Sequence, residues 1–238
     1  MAELMGKETG YCKGRGGSMH IAEVDKCNNL GSTGIVGGNQ APAVGAAFAE
    51  KYKKAGTVVV CFFGDGSTNT GTFHESMNMA SVMKVPMIAV VENNLYGMSV
   101  PFSGSPVGGT LRASNIEDIA ERSYAYNIPA MIVDGQDVVA VYLAIHSAAV
   151  LARKDMQTIM VEAKTYRWYG HSKSDPCAYR TKDEEKAWHD RDPIIVLSNR
   201  LLGDKLCTQA QLDQIKDKAF KTIEAATKFG VDSPLPNP

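Results

Sequence analysis

Two stretches decide how this chain folds: Val58-Val59-Val60-Cys61-Phe62-Phe63 running into Gly64-Asp65-Gly66, and Pro86-Met87-Ile88-Ala89-Val90-Val91 running into Glu92-Asn93-Asn94. Each is a short continuous apolar run bounded by polar and turn-forming residues, the pattern of a strand buried on both faces. Two such strands lying side by side and parallel would deliver Asp65 and Asn94 to one C-terminal sheet edge, where open α/β folds bind ligands. A carboxylate and an amide oxygen on rigid strand ends suit a hard cation such as Mg²⁺, which takes oxygen ligands and keeps room for phosphate and water. The flanking Gly64 and Gly66 let backbone approach a ligand closely.

Working outward, residues 1–38 are glycine-rich and predicted irregular. A helix is predicted from Ala41 to Lys54, with Ala43, Val44, Ala46, Ala47, Phe48 and Ala49 on its inner face. Helix 72–84 separates the two strands. After them come a loop over 95–114, a short helix Ile116–Arg122, a strand Ala130–Val133, a helix Val138–Arg153 with Asp137 as N-cap, and a strand Thr158–Lys164. This alternation predicts an α/β fold, a parallel sheet flanked by helices on both faces. Thr181-x-x-Glu184 and Thr208-x-x-Gln211 read as capping boxes opening two C-terminal helices. The second carries an amphipathic stripe of Leu212, Ile215, Ala219, Ile223 and Ala226, read as packing surface without function.

Composition narrows the class. With 238 residues, 44% hydrophobic and 21% charged, the chain has the make-up of a globular protein. A formal net charge of −1 argues against a nucleic-acid surface, which needs a basic excess. No apolar stretch reaches membrane-spanning length and no signal-peptide pattern is present, so no membrane partner and a cytoplasmic location are expected. The five scattered cysteines read as reduced thiols, not as a disulfide frame or zinc site. His74, His146 and His189 read as structural, and His20 divides between loop bracing and cofactor contact. The Gly31-x-x-Gly34-x-x-Gly37 series lacks both the G-x-G-x-x-G order and a preceding strand, so it is no dinucleotide loop.

Gly64-Asp65-Gly66 followed by Asn93-Asn94 resembles the GDG–NN motif of thiamine diphosphate enzymes. Three further stretches sharpen the likeness: Lys13-Gly14-Arg15-Gly16-Gly17-Ser18-Met19-His20, Gly34-Ile35-Val36-Gly37-Gly38, and Tyr166-Arg167-Trp168-Tyr169-Gly170-His171-Ser172-Lys173-Ser174-Asp175-Pro176. With Glu92-Asn93-Asn94-x-Tyr96-Gly97-Met98, they resemble the α subunit of the E1 component of 2-oxo acid and acetoin dehydrogenases, in order and over nearly the whole chain. The resemblance implies one thiamine diphosphate-binding domain over 1–238, with 181–238 as its helical extension. It implies Mg²⁺ held by Asp65, Asn94 and the Tyr96 carbonyl. Gly66 and Ser67 N–H groups at a helix start would meet the diphosphate, and Gly34 and Val36 the aminopyrimidine. His171 would act near the reacting centre, in a loop with Arg167, Ser172, Asp175, Tyr179 and Arg180.

The resemblance also implies a β subunit in an α2β2 heterotetramer, a lipoyl-bearing E2 component and a small-molecule substrate. Relatives carry a further N-terminal segment with a Tyr-Arg pair, which is expected to be missing here. The leading expectation is acetoin cleavage with acetyl transfer to lipoamide. Pyruvate as substrate, a non-catalytic cofactor-binding module and a transketolase-like enzyme are the alternatives. Asn39-Gln40-Ala41-Pro42 departs in detail from the family pattern at the start of its helix.

Overall fold

A computed structural model describes residues 1–103 and 112–237 of the chain. In chain order the elements are α1 (Val24–Cys27), α2 (Gln40–Lys53), β1 (Val59–Gly64), α3 (Gly71–Met83), β2 (Met87–Asn93), β3 (Tyr96–Gly97), β4 (Val100–Pro101), β5 (Ala130–Asp134), α4 (Val138–Asp155), β6 (Ile159–Lys164), α5 (Lys182–His189), α6 (Pro193–Gly203) and α7 (Gln209–Asp232). Two 3-10 segments, Asp65–Asn69 and Ile119–Tyr126, complete the list. Of the expected loop 95–114, residues 104–111 lie outside the described residues, and the part before them folds into the antiparallel hairpin β3–β4.

The chain divides into two compact units, Val36–Leu197 and a second made of Met1–Ile35 with Ser198–Pro238. The larger unit is built on a four-stranded sheet of order β1-β2-β6-β5, every pair parallel. Alternation along the strands sends side chains to opposite faces. On one face Cys61, Phe63, Met87, Ala89, Val91 and Met160 pack with Ala43, Val44 and Ala47 of α2 and Phe73, Met77 and Ala80 of α3. On the other, Ile88, Val90, Val133, Ile159 and Val161 pack with Ala148 and Ala152 of α4. The expected fold, a parallel sheet with helices on both faces, is what the chain forms. Small alanines on α2 and α4 let those helices lie close to the sheet. Phe48, expected inward, is 46% exposed, because the buried row of α2 runs through Gln40, Ala43, Val44 and Ala47.

In the smaller unit, Glu3 organises the glycine-rich segment. Its buried carboxylate accepts N–H groups from Cys12 (2.8 Å), Gly14 (3.0 Å), Gly16 (2.7 Å) and Gly17 (3.3 Å). Burial works to raise this carboxyl's pKa, but the four donors outweigh it and hold it below the usual carboxylate range. Thr208 caps α7 with a complete capping box, as its sequence predicts. The α7 stripe is not core among the described residues: Ile215 is 67% and Ile223 58% exposed.

Candidate functional site

The register of β1 against β2 pairs Gly64 with Glu92, so both strands end level with each other. Asp65 leaves the first and Asn94 the second at the same sheet edge. Asp65 does not start a long helix directly. It opens the 3-10 turn Asp65–Asn69, and α3 begins only after Thr70, whose hydroxyl accepts the Phe73 N–H at 3.2 Å. Gly66 and Ser67 therefore lie in this turn and not at the first residues of α3. The Thr68 hydroxyl donates to the Asp65 carbonyl at 2.7 Å, tightening the turn from within.

Asp65 is 2% exposed and its Oδ2 has no hydrogen-bond partner among the described residues. Burial pushes its pKa up from 3.8 to about 6, opposed by the Gly66 N–H and the charge of Arg167. An unpartnered buried carboxylate oxygen is costly unless something outside the chain pairs with it. At the neighbouring strand end, the Asn94 amide oxygen accepts among the described residues the Tyr96 N–H, at 3.3 Å, and the Tyr96 carbonyl accepts Arg167 Nη1, also at 3.3 Å. Each of these oxygens keeps a lone pair free. A Cβ on Gly66 would stand 3.3 Å from the Gly97 Cα, so the two loops meet backbone to backbone where glycine alone leaves room. The donor set is all oxygen, with one carboxylate, one amide and one carbonyl. It fits a hard divalent cation with phosphate.

Asn93 does something different from its neighbour. It is buried, and its Nδ2 donates to Glu162 Oε1 at 2.7 Å. Glu162 on β6 is fully buried and also accepts the Ala120 N–H at 2.8 Å and Lys164 Nζ at 2.7 Å. A carboxylate in a buried strand persists only when paired, and here the pairing holds the Asn93-Asn94 turn against the central strand. Arg122 serves the opposite loop, donating to the Thr68 carbonyl and to Asn69 Oδ1 (2.6 Å).

The segment after β6 passes beside Asn93, whose carbonyl accepts the Thr165 N–H at 2.9 Å. Arg167 then reaches back, giving Nη1 to the Tyr96 carbonyl and Nη2 to the Met98 carbonyl and the Tyr179 hydroxyl, both at 2.7 Å. Asp175 closes the loop by accepting the His171 N–H (2.8 Å), the Cys177 N–H (2.9 Å) and the Tyr179 hydroxyl (2.7 Å). These donors, Tyr179 first, bring its pKa down to about 2. Gly170 is obligatory here, since a Cβ would lie 2.7 Å from the Asp175 carbonyl. His171 is thus fixed through its backbone, with an exposed side chain. The Glu184 side chain does not complete a capping box. It accepts from the Tyr96 and Tyr166 hydroxyls at 2.9 Å, bracing the hairpin from α5. Burial, and after it the Glu184 carboxylate, raise the pKa of both phenols, so both remain donors.

Asp65, Gly66, Ser67, Asn94 and Tyr96 are therefore brought to one edge, and the His171 loop is tied to it through Arg167. Of the other expected site residues, Gly34 belongs to the smaller unit, where a Cβ would lie 3.2 Å from Met19 Sδ, and Val36 is 66% exposed at the start of the larger one. Glu162, Arg122 and Glu184, which brace the loops at this edge, are not singled out as site residues by the sequence. Glu162 alone carried a usable signal, as the charge within an otherwise apolar strand.

The sequence pattern defining the dehydrogenase E1 component matches residues 1–238. The chain belongs to the dehydrogenase E1 component family. Among E1 relatives, it is 45% identical over 238 residues to the α subunit of acetoin:2,6-dichlorophenolindophenol oxidoreductase of Bacillus subtilis, covering 99% of this chain and 68% of that one. It is 39% identical to the pyruvate dehydrogenase E1 α subunit of Porphyra purpurea, over 100% of this chain and 68% of the relative. A solved transketolase structure from Pichia stipitis overlaps 56% of this E1 chain and 20% of its own length, with a TM-score of 0.45 and 20% identity. Among the described residues no helix is long and apolar enough to cross a membrane.

Proposed function

We propose that this chain is the α subunit of a thiamine diphosphate- and Mg²⁺-dependent E1 dehydrogenase that cleaves acetoin oxidatively and passes the acetyl group to lipoamide. The observation that carries the reading is the buried Asp65 Oδ2, without a partner among the described residues, at the same sheet edge as Asn94 and Tyr96. In this reading Asp65, the Asn94 amide and the Tyr96 carbonyl hold the ion, and the Gly66 and Ser67 N–H groups take the diphosphate. Gly34 and Val36 border the aminopyrimidine. The cofactor supplies a carbon nucleophile and an electron sink for the carbonyl carbon of the substrate. His171 gives or takes a proton beside the reacting centre, and Arg167, Tyr179 and Asp175 keep its loop in place.

Acetoin is preferred because the relative named for it shares 45% of its residues, against 39% for a pyruvate enzyme. Oxidative decarboxylation of pyruvate is the second reading, favoured by the names of several relatives, among them Rickettsia felis at 36% identity. The proposal places the chain in the cytoplasm, its five cysteines all free thiols, with a β subunit in an α2β2 assembly and a lipoyl-bearing E2 component as acceptor. Co-expression with the β subunit tests it. Calorimetry should show Mg²⁺-dependent binding of thiamine diphosphate, and dye reduction should run on acetoin, more slowly on pyruvate, and not on branched 2-oxo acids. Absence of Mg²⁺-dependent cofactor binding would sink the site assignment, and pyruvate turning over faster than acetoin would reverse the substrate order.

A further inference from the structure

We infer that Gln40 and Ser67 form a hydrogen-bonding pair toward the phosphorylated end of the cofactor, with Gln40 positioning the Ser67 hydroxyl that touches it. The inference rests on the thiamine diphosphate reading above. Gln40 is the first residue of α2 and is wholly buried. Its Nε2 donates to Ser67 Oγ at 2.6 Å, while its Oε1 is buried with no partner among the described residues. At this place in the packed row with Ala43, Val44 and Ala47, an apolar side chain would avoid the desolvation that an unpaired amide oxygen suffers. Turning the amide over exchanges its ends but still leaves one of them unpaired inside the chain.

Ser67 sits two residues after Asp65 in the same 3-10 turn and is itself buried. The turn and the helix start beside it thus hold two buried oxygens without partners, Asp65 Oδ2 and Gln40 Oε1. Two such atoms, one on the turn that carries Ser67 and one on the side chain that bonds it, mark a place whose polar partner comes from outside the described residues. While Ser67 Oγ accepts from Gln40, its own hydrogen is left to donate. A phosphate oxygen is the acceptor that makes this bond charge-assisted. The Gln40 Oε1 then remains an acceptor for a donor from outside the described residues. The Asn39 side chain, which could have capped α2, is engaged elsewhere, donating to the Phe62 carbonyl at 2.5 Å.

The test is a double-mutant cycle on the chain co-expressed with its β subunit. Gln40→Met, Ser67→Ala and the double variant are titrated with thiamine diphosphate at saturating Mg²⁺ and, separately, with inorganic pyrophosphate. Each single change should weaken both ligands about tenfold, and the double variant should lose little more than either single one, since the two act as a unit. The cofactor-free Gln40→Met protein should melt no lower than the parent. Affinities within twofold of the parent overturn the inference, and fully additive losses overturn the role of Gln40 acting through Ser67. A parent that binds no thiamine diphosphate brings down the cofactor reading and this inference together, whereas a binding parent with an unaffected Gln40→Met variant brings down this inference alone. Should Gln40→Met fail to fold, Ser67→Ala decides through pyrophosphate, where unchanged affinity is refuting.

Discussion

Replacing Asp65 by asparagine should stabilise the metal-free chain at pH 8 while removing its hold on Mg²⁺. The carboxylate is 2% exposed with one oxygen unpaired, and burial raises its pKa from 3.8 to about 6. Because the folded value lies above the unfolded one, the stability associated with this group is fully present below the unfolded pKa and is lost as pH rises through about 6. A difference of about two pKa units, at about 1.36 kcal/mol each, puts the cost of the buried charge at about 3 kcal/mol by pH 8. Asparagine carries no charge and escapes it. For a chain of this size about 3 kcal/mol corresponds to roughly 6–12 °C in melting temperature. The assay is thermal unfolding in chelator across pH 4 to 8. The variant's advantage should be full at pH 8 and shrink toward zero as the pH falls from about 6 to about 4. Adding Mg²⁺ with cofactor should reverse the order, since ligand stabilises only the form that binds it. The reasoning is refuted if Asp65→Asn melts no higher than the parent at pH 8, or gains equally at both ends of the range.

Three further outcomes are expected. His171→Ala should lower turnover by about 10²–10⁴-fold, as loss of a positioned proton donor or acceptor does, with cofactor affinity within a few-fold; steady-state kinetics beside calorimetry would separate the two, and a surviving kcat would leave His171 a loop residue only. Gly66→Ala puts a methyl 3.3 Å from the Gly97 Cα; it should weaken Mg²⁺-dependent cofactor binding about tenfold by parting the two loops while changing stability by only about 1 kcal/mol, so a normal affinity would count against the close approach. Glu162→Gln sets an NH2 group among the donors of Asn93, Ala120 and Lys164; urea unfolding should show a loss of about 3–5 kcal/mol, and a loss below about 1 kcal/mol would mean the buried carboxylate is not what holds this network.

What the sequence by itself determined is the part governed by short-range pattern. Apolar runs at 58–63 and 86–91 became adjacent parallel strands, and Asp65 and Asn94 followed onto one edge because register leaves a strand's next residue no other place to go. The Thr208 capping box formed because its partners are three residues apart. Helix α6 was missed although Pro193 at its first position, with the Asp192 carboxylate accepting the Ile194 N–H at 2.8 Å, is a helix-start signal of the same local kind. Tertiary structure alone decided the rest. Glu184 could have closed its own capping box, yet it bonds Tyr96, 88 residues away. Asn93 and Asn94 are identical neighbours, but Glu162, 69 residues on, takes one into the core and leaves the other at the edge. Gln40 meets Ser67 across 27 residues. Such pairings arise where the sheet brings distant segments together, and a buried polar group takes whichever partner that packing supplies.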